Sequence, residues 1–146
     1  MSFPVPKPGL VIRYSFLWSS EAAEGATEGA KDRPCAIVVA ARRDPNGDIQ
    51  TIVAPITHRP PDDLTASLKI PPAVCKNLGL DNGPHWLRLD ELNGFAWPGY
   101  DLRPIPGQPR RYEYGMLPPG LFRQLRDGIL ARQKARARRV ISRDDG

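Results

Sequence analysis

Residues 33–57 read RPCAIVVAARRDPNGDIQTIVAPIT and contain two apolar runs separated by a turn. The first run, residues 33–41, is almost continuously apolar, which is typical of a strand buried on both faces. Residues 44–47, DPNG, form a strong turn signal because each of these residue types favours tight turns. The second run, residues 49–57, resembles the first in composition. The stretch therefore predicts an antiparallel hairpin of two buried strands.

The sequence before this hairpin predicts one further strand and a loop. Residues 9–18, GLVIRYSFLW, are rich in β-branched and aromatic residues and predict a first strand. Residues 19–31, SSEAAEGATEGAK, are small and acidic, and they predict a long mobile loop. Long loops in compact domains are often functional.

The sequence after the hairpin predicts short strands and two helices. The strands are expected at residues 65–70, 86–92, 94–97 and 111–116, with a kink at Asn93-Gly94. Pro71-Pro72 is expected to open a short helix that ends at Gly79, since proline suits the first helical turn. A second helix is expected after Pro119, where apolar residues fall at helical spacing.

Proline is the unusual residue in the composition, with 17 prolines among 146 residues. A proline inside a helix removes a hydrogen bond and clashes with the preceding turn, so the spacing of these prolines excludes a helical bundle. The length favours a single domain. We expect a mainly β (α+β) fold, a small antiparallel β-barrel of about five to seven strands with a C-terminal helix.

The net charge of +5 is concentrated at the end of the chain. Residues 121–130 carry an apolar helical face that should pack on the barrel, whereas the basic residues 131–146 are expected to form a fraying helix end and a mobile terminus. The sequence has no run of about 18 apolar residues and no secretory signal pattern. We therefore expect a cytoplasmic protein with no membrane association.

Motifs for several common chemistries are absent from the sequence. It has no phosphate-binding glycine loop and no Gly-x-Ser-x-Gly nucleophile motif. Its two cysteines and two histidines, Cys35, Cys75, His58 and His85, do not make a metal-ligand pattern. Neither a metal nor a cofactor is expected.

Three polar side chains stand out because they flank buried strands. Arg33 opens the first run of the hairpin, and Thr57 and His58 close the second, so all three should lie at the open end of the hairpin. Arginine binds phosphate through its planar fork, and histidine is a common acid or base near neutral pH. Structural explanations stay open for each residue. Arg33 could pair with Glu28 or Asp32, Thr57 could be an ordinary strand residue, and His58 an exposed turn residue.

Four segments together resemble the PemK/MazF family of toxin–antitoxin ribonucleases: GLVIRYSFLW, DRPCAIVV, IVAPITH and LRLDELNGFAW. The resemblance covers roughly residues 8–132 and implies an SH3-like barrel that forms homodimers and cuts single-stranded RNA without a metal. It places Arg33 at the family's catalytic arginine and Thr57 at its catalytic hydroxyl residue. Glu28 matches an acidic loop residue near that site, and His58 stands where Ser or Thr is commoner.

The expected function is that of the toxin of a type II toxin–antitoxin system, with an antitoxin protein as partner and mRNA as substrate. The catalytic residues are expected to be Arg33, Thr57 and His58, with Glu28, Lys31 and Arg59 binding substrate. Two alternatives remain, a binding module of the same fold without nuclease activity and a gyrase-directed toxin. The barrel domain is expected at residues 1–132 and a basic tail at residues 133–146.

Overall fold

The computed structural model describes residues 3–25, 31–43, 47–134 and 140–142. In this part of the chain the strands are β1 (Leu10–Ser15), β2 (Asp32–Arg43), β3 (Asp48–Thr57), β4 (Ser67–Lys69), β5 (Trp86–Arg88), β6 (Leu92–Ala96), β7 (Glu113–Met116) and β8 (Val140–Ser142). The helices are α1 (Ser19–Ala23), α2 (Pro72–Leu78) and α3 (Pro119–Lys134), and a 3-10 turn lies at Leu64–Ala66.

The sheet is a curled, mainly antiparallel half-barrel. Six strands follow one another in the order β4-β5-β3-β2-β1-β7. The long strand β3 shares its second edge between two partners, since residues 50–53 pair with β6 and residues 56–57 pair with β5. Strand β8 adds to the free edge of β6 in parallel orientation. The mainly β architecture with a C-terminal helix is as predicted.

The hairpin predicted from residues 33–57 is confirmed. Strands β2 and β3 pair in antiparallel register from Cys35 opposite Pro55 to Arg43 opposite Asp48, with a bulge between Ile37 and Val39. Successive residues of this hairpin belong to two different cores. Side chains alternate between the faces of a strand, so both faces of the hairpin are buried, as its nearly continuous apolar character predicts.

One core lies between the sheet and the helices, and the other lies on the opposite side of the sheet. Helix α3 contributes Leu121, Leu125 and Ile129 to the first core. These three residues belong to the apolar face that the sequence predicted to pack on the barrel. The second core contains the aromatic side chains of the first strand region and of β6, namely Tyr14, Phe16 and Phe95.

Two sequence predictions for the body of the chain differ from the structure. The expected kink at Asn93-Gly94 is wrong, because β6 runs through both residues and the chain bends at residues 89–91 instead. The expected loop at residues 19–31 begins with helix α1, while residues 26–30 lie outside the described residues. Helix α1 forms because the Glu21 carboxylate accepts a hydrogen bond from the Trp18 backbone N–H, 3.0 Å away.

The C-terminal segment also departs from expectation. Val140–Ser142 form β8 inside the segment expected to be a mobile tail, which brings the described strands to eight. Val140 and Ile141 are β-branched residues with high strand propensity, and the open edge of β6 offers them backbone partners. Residues 135–139 and 143–146 lie outside the described residues. None of the helices in the described part of the chain has the length and apolar character needed to cross a membrane.

Candidate functional site

A cleft of about 1140 Å³ lies at the open end of the β2–β3 hairpin. Five of the six site residues predicted from the sequence line it: Lys31, Arg33, Thr57, His58 and Arg59. The sixth, Glu28, lies outside the described residues. The cleft is bounded on its sides by α1, by the segment between α2 and β5, and by the region around β7.

Arg33 and Thr57 reach this cleft from adjacent strands. In the pairing of β2 with β3, Cys35 lies opposite Pro55. Two residues further toward the open end of the hairpin, the same register places Arg33 opposite Thr57. Thr57 is 8% exposed, and its hydroxyl oxygen accepts a hydrogen bond from the Arg59 backbone N–H at 3.1 Å. The hydroxyl proton of Thr57 remains available to donate to a molecule in the cleft.

The guanidinium of Arg33 belongs to the lining of the cleft. It stacks on the ring of Trp18, with 5.0 Å between its carbon and the ring centroid. Within the described part of the chain, its Nε is buried and has no hydrogen-bond partner, and no carboxylate forms an ion pair with it. A half-buried cation without hydrogen-bond acceptors is unfavourable on its own, and an anion in the cleft would supply them.

A second guanidinium, that of Arg88, lies 5.3 Å from the centroid of the same Trp18 ring. Two hydrogen bonds of 2.8 Å to the Asp90 carboxylate hold Arg88 in place. The hydrogen bonds that Arg88 donates to Asp90 raise the pKa of Arg88, and burial acts in the opposite direction. Arg88 is therefore a second cation against Trp18, and its charge is paired with the Asp90 carboxylate.

Trp18 is held in place because its two neighbours in sequence, Leu17 and Ser19, form hydrogen bonds with distant side chains. The Asn93 side chain, 0% exposed, accepts from Leu17 N–H and donates to Leu17 C=O, each over 2.8 Å. The Glu91 carboxylate accepts from the Ser19 N–H at 2.7 Å and from its hydroxyl at 2.6 Å. These bonds make Trp18 a fixed wall of the cleft rather than part of a free loop.

His58 lies at the cleft edge with half of its side chain exposed (50%). Its Nδ1 is 3.0 Å from the carbonyl oxygen of Pro84, and its Nε2 is 3.8 Å from a carboxylate oxygen of Asp81. The ring of His85 lies against it, with 4.2 Å between the two ring centroids. Burial lowers the pKa of His85, a positive charge on His58 lowers it further, and Asp81 and the Gly83 backbone oppose this shift.

Lys31 and Arg59 belong to the rim of the cleft. Both are exposed, and the Arg59 side chain, 79% exposed, lies 3.9 Å from the Asp62 carboxylate. Arg13, which also lines the cleft, donates a hydrogen bond of 3.0 Å to the Tyr114 hydroxyl. These three side chains add to the cationic lining of the cleft.

Sequence reasoning missed Arg88, Asp90, His85 and Arg13 as site residues. The sequence could have indicated Arg88 and Asp90, because residues two apart on a strand point to the same face and an Arg-x-Asp pair can form an ion pair there. A signal also existed for Arg13, a charged residue inside the apolar run of β1. His85 had none, since only the fold brings it against His58.

Among the described residues, no group of three or more His, Cys, Asp or Glu side chains is placed to hold a metal ion. Comparisons of the chain with protein-family models, with curated proteins and with solved structures found no match.

Proposed function

We propose that this chain is a metal-independent endoribonuclease of the PemK/MazF toxin type, with an SH3-like form of the half-barrel. Its substrate is single-stranded RNA, mRNA included, and its partners are a second copy of the chain and an antitoxin protein. A ribose 2′-hydroxyl attacks the adjacent phosphorus, which leaves a 2′,3′-cyclic phosphate and a 5′-hydroxyl.

The observation that carries this proposal is the guanidinium of Arg33. It is half-buried in the cleft, its Nε is buried, and it has no hydrogen-bond or ion-pair partner among the described residues. Arginine binds phosphate through parallel N–H···O bonds, and it stabilises the extra negative charge of a phosphorane. A phosphate in the cleft would supply the acceptors that the protein does not.

The residues around Arg33 supply the remaining parts of the reaction. Attack forms the bond from the 2′-oxygen to phosphorus and breaks the bond from phosphorus to the 5′-oxygen. His58 Nε2 accepts the proton of the 2′-hydroxyl, and the resulting imidazolium has Asp81 at 3.8 Å. Thr57 donates its hydroxyl proton to a phosphate oxygen. The 5′-oxygen takes up a proton from solvent water as it leaves.

The cleft suits a chain of phosphates better than a single anion. Arg88 lies against the same Trp18 ring as Arg33, and Arg13 lines the same cleft. Successive phosphates of single-stranded RNA can contact these separated cations. DNA offers the same phosphates but lacks the 2′-hydroxyl nucleophile, so it can bind but not be cut.

The test is incubation of the purified protein with mixed-sequence RNA in EDTA, followed by analysis of the fragment ends. We expect 2′,3′-cyclic phosphate and 5′-hydroxyl ends. A matched oligonucleotide with one 2′-deoxy residue at the cut site should resist cleavage. Arg126→Ala is the control for arginine substitutions, since this exposed α3 residue pairs with Asp127 outside the cleft.

Three results would contradict the proposal in different ways. Equal cleavage of the 2′-deoxy substrate would exclude attack by the 2′-hydroxyl. Retention of RNA without cleavage would identify a binding module of the same fold. Inhibition of gyrase supercoiling without RNA cleavage would identify the gyrase-directed alternative.

A further inference from the structure

The segment of residues 81–85, DNGPH, surrounds the imidazole of His58 on several sides. The Pro84 carbonyl oxygen contacts Nδ1 at 3.0 Å, and the Asp81 carboxylate is 3.8 Å from Nε2. The His85 ring packs against the His58 ring with 4.2 Å between centroids and an interplanar angle of 43°. One short segment therefore contacts both ring nitrogens and the ring itself.

The contact with Pro84 determines where the proton of a neutral His58 lies. A carbonyl oxygen only accepts hydrogen bonds, so a favourable contact at 3.0 Å requires the proton on Nδ1. The lone pair of the neutral ring is then on Nε2. Histidine in water favours the opposite tautomer, with the proton on Nε2, so the segment selects a form that is otherwise the minor one.

His85 and Gly83 contribute to this arrangement through packing and backbone geometry. His85 is 3% exposed and its backbone carbonyl accepts a 2.9 Å hydrogen bond from Ile70 N–H, which fixes the ring under His58. Gly83 has φ of 100°, a conformation that residues with a Cβ rarely adopt, and this allows the turn that presents Pro84 C=O to His58. A Cβ at Gly83 would lie 3.9 Å from His58 Nδ1.

We propose that residues 81–85 form a positioning cradle that holds His58 in the Nδ1–H tautomer with Nε2 free to accept a proton from the substrate. This inference rests on the proposed ribonuclease function for its purpose, but the tautomer is a property of the protein alone. Within it, Pro84 sets the tautomer, His85 sets the ring plane, and Asp81 faces the nitrogen that becomes protonated. The other charged side chain close to His58 in sequence, Arg59, is directed to Asp62.

The first experiment uses the wild-type chain without RNA. Two-bond 1H–15N correlation spectra of the 15N-labelled protein, at a pH where His58 is neutral, report which nitrogen carries the proton. His58→Asn assigns the signals. We expect a protonated Nδ1 and an unprotonated Nε2 at His58. An Nε2–H tautomer, or the averaged pattern of free histidine, would overturn the cradle whether or not the protein cuts RNA.

The second experiment separates the His85 ring from its charge. His85→Phe keeps a flat ring under His58, so we expect the Nδ1–H tautomer and kcat to stay within about twofold of wild type. His85→Ala removes the ring, and we expect mixed tautomers and kcat lowered about tenfold with KM unchanged. In a His58→Ala background the His85→Ala change should have no further effect on kcat.

The outcomes distinguish the two proposals. Equal kcat and equal tautomer spectra in His85→Ala and wild type would show that His85 does not position the His58 ring. If His85→Ala does not fold, the wild-type spectrum and His85→Phe still decide. The Nδ1–H tautomer in a protein that leaves RNA intact would support the cradle and refute the ribonuclease function.

Discussion

Two half-buried arginines of the molecule have different surroundings. Arg33 in the cleft and Arg132 at the end of α3 both have a buried Nε without a partner in the described residues. Arg132 nevertheless donates a 3.1 Å hydrogen bond to the Thr65 hydroxyl and lies 3.9 Å from the Asp63 carboxylate, which ties α3 to the 3-10 turn. The guanidinium of Arg33 stacks on the Trp18 ring and has no hydrogen-bond or ion-pair partner among the described residues.

This difference is the one expected between an arginine that stabilises the fold and an arginine that binds a ligand. The Arg132 charge is compensated within the fold, so its role is complete without a ligand. Desolvation of the Arg33 charge is unfavourable and the fold provides no acceptor to offset it. Groups in that situation are typical of binding sites, where a ligand completes the hydrogen bonding.

The largest expected effect follows from removing the uncompensated charge. Arg33→Ala should lower kcat for RNA cleavage by roughly 10³-fold, since one charge-stabilising donor typically contributes about 10²–10³. The free energy of unfolding should fall by no more than about 1 kcal/mol, because the guanidinium loses its contact with the Trp18 ring but no hydrogen bond. Single-turnover cleavage and urea unfolding test both statements. Arg33→Lys should restore little activity, because lysine lacks the planar fork.

Arg132→Ala is the matched comparison for activity, and it should cut RNA at the wild-type rate. If both variants lose activity equally, the distinction between the two arginines is wrong. Full activity in Arg33→Ala would show that the cleft does not act through this residue.

The second largest effect on kcat is expected for His58, whose side chain is reached by solvent. His58→Ala should lower kcat by roughly 10²-fold, the lower end of the range for acid–base residues, since half of its side chain (50%) is exposed and water can partly replace it. KM should change little. Arg59→Ala, which removes the exposed neighbour paired with Asp62, is the control and should mainly raise KM. Unchanged kcat in His58→Ala would identify His58 as an exposed turn residue.

A third prediction concerns Asn93, whose hydrogen bonds to Leu17 hold the adjacent Trp18 in place beside Arg33. Asn93→Ala leaves the N–H and C=O of Leu17 without their 2.8 Å partners, which should lower the free energy of unfolding by about 2 kcal/mol. Asn93→Asp can still accept from the N–H but cannot donate to the C=O, so it also should be destabilising. Urea denaturation measures the change, with Gln108→Ala on the exposed connection as control. Wild-type stability in Asn93→Ala would contradict this role.

Much of the fold follows from local sequence patterns. The two apolar runs of residues 33–57 and the turn between them predict the central hairpin, because burial on both faces requires continuous apolar character. The hairpin in turn places Arg33 and Thr57 at one end, so that part of the site was accessible from sequence order alone. The helices after Pro71 and Pro119 follow from proline at their first turns.

The remaining features depend on contacts between distant residues. Asn93-Gly94 has the composition of a turn, but the hydrogen bonds of Asn93 to Leu17 stabilise a continuous strand instead. Helix α1 depends on Glu91, which binds Ser19 across 72 positions of sequence. His85 becomes a neighbour of His58 only because β3 pairs with β5. No local pattern encodes these partners.

Arg132→Ala should have a modest effect on stability. Loss of its hydrogen bond to Thr65 and of the packing of its stem should lower the free energy of unfolding by about 1 kcal/mol. Thr65→Val removes the same acceptor from the other side, so the double variant should lose less stability than the sum of the two single losses. Additive losses would show that the two side chains act independently.

The smallest expected effect is the pH dependence contributed by His85. Burial lowers its pKa from the ordinary 6.5, so the folded protein keeps this ring neutral while the unfolded chain binds a proton more readily. Its contribution to stability is therefore full above pH 6.5 and is lost as the pH falls below that value towards the lowered pKa. His85→Phe removes this titration, so the free energy of unfolding should fall less between about pH 7 and about pH 5 than in the wild type. Urea unfolding across that range measures the two slopes, and parallel slopes would show that His85 is protonated as easily in the folded protein as in the unfolded chain.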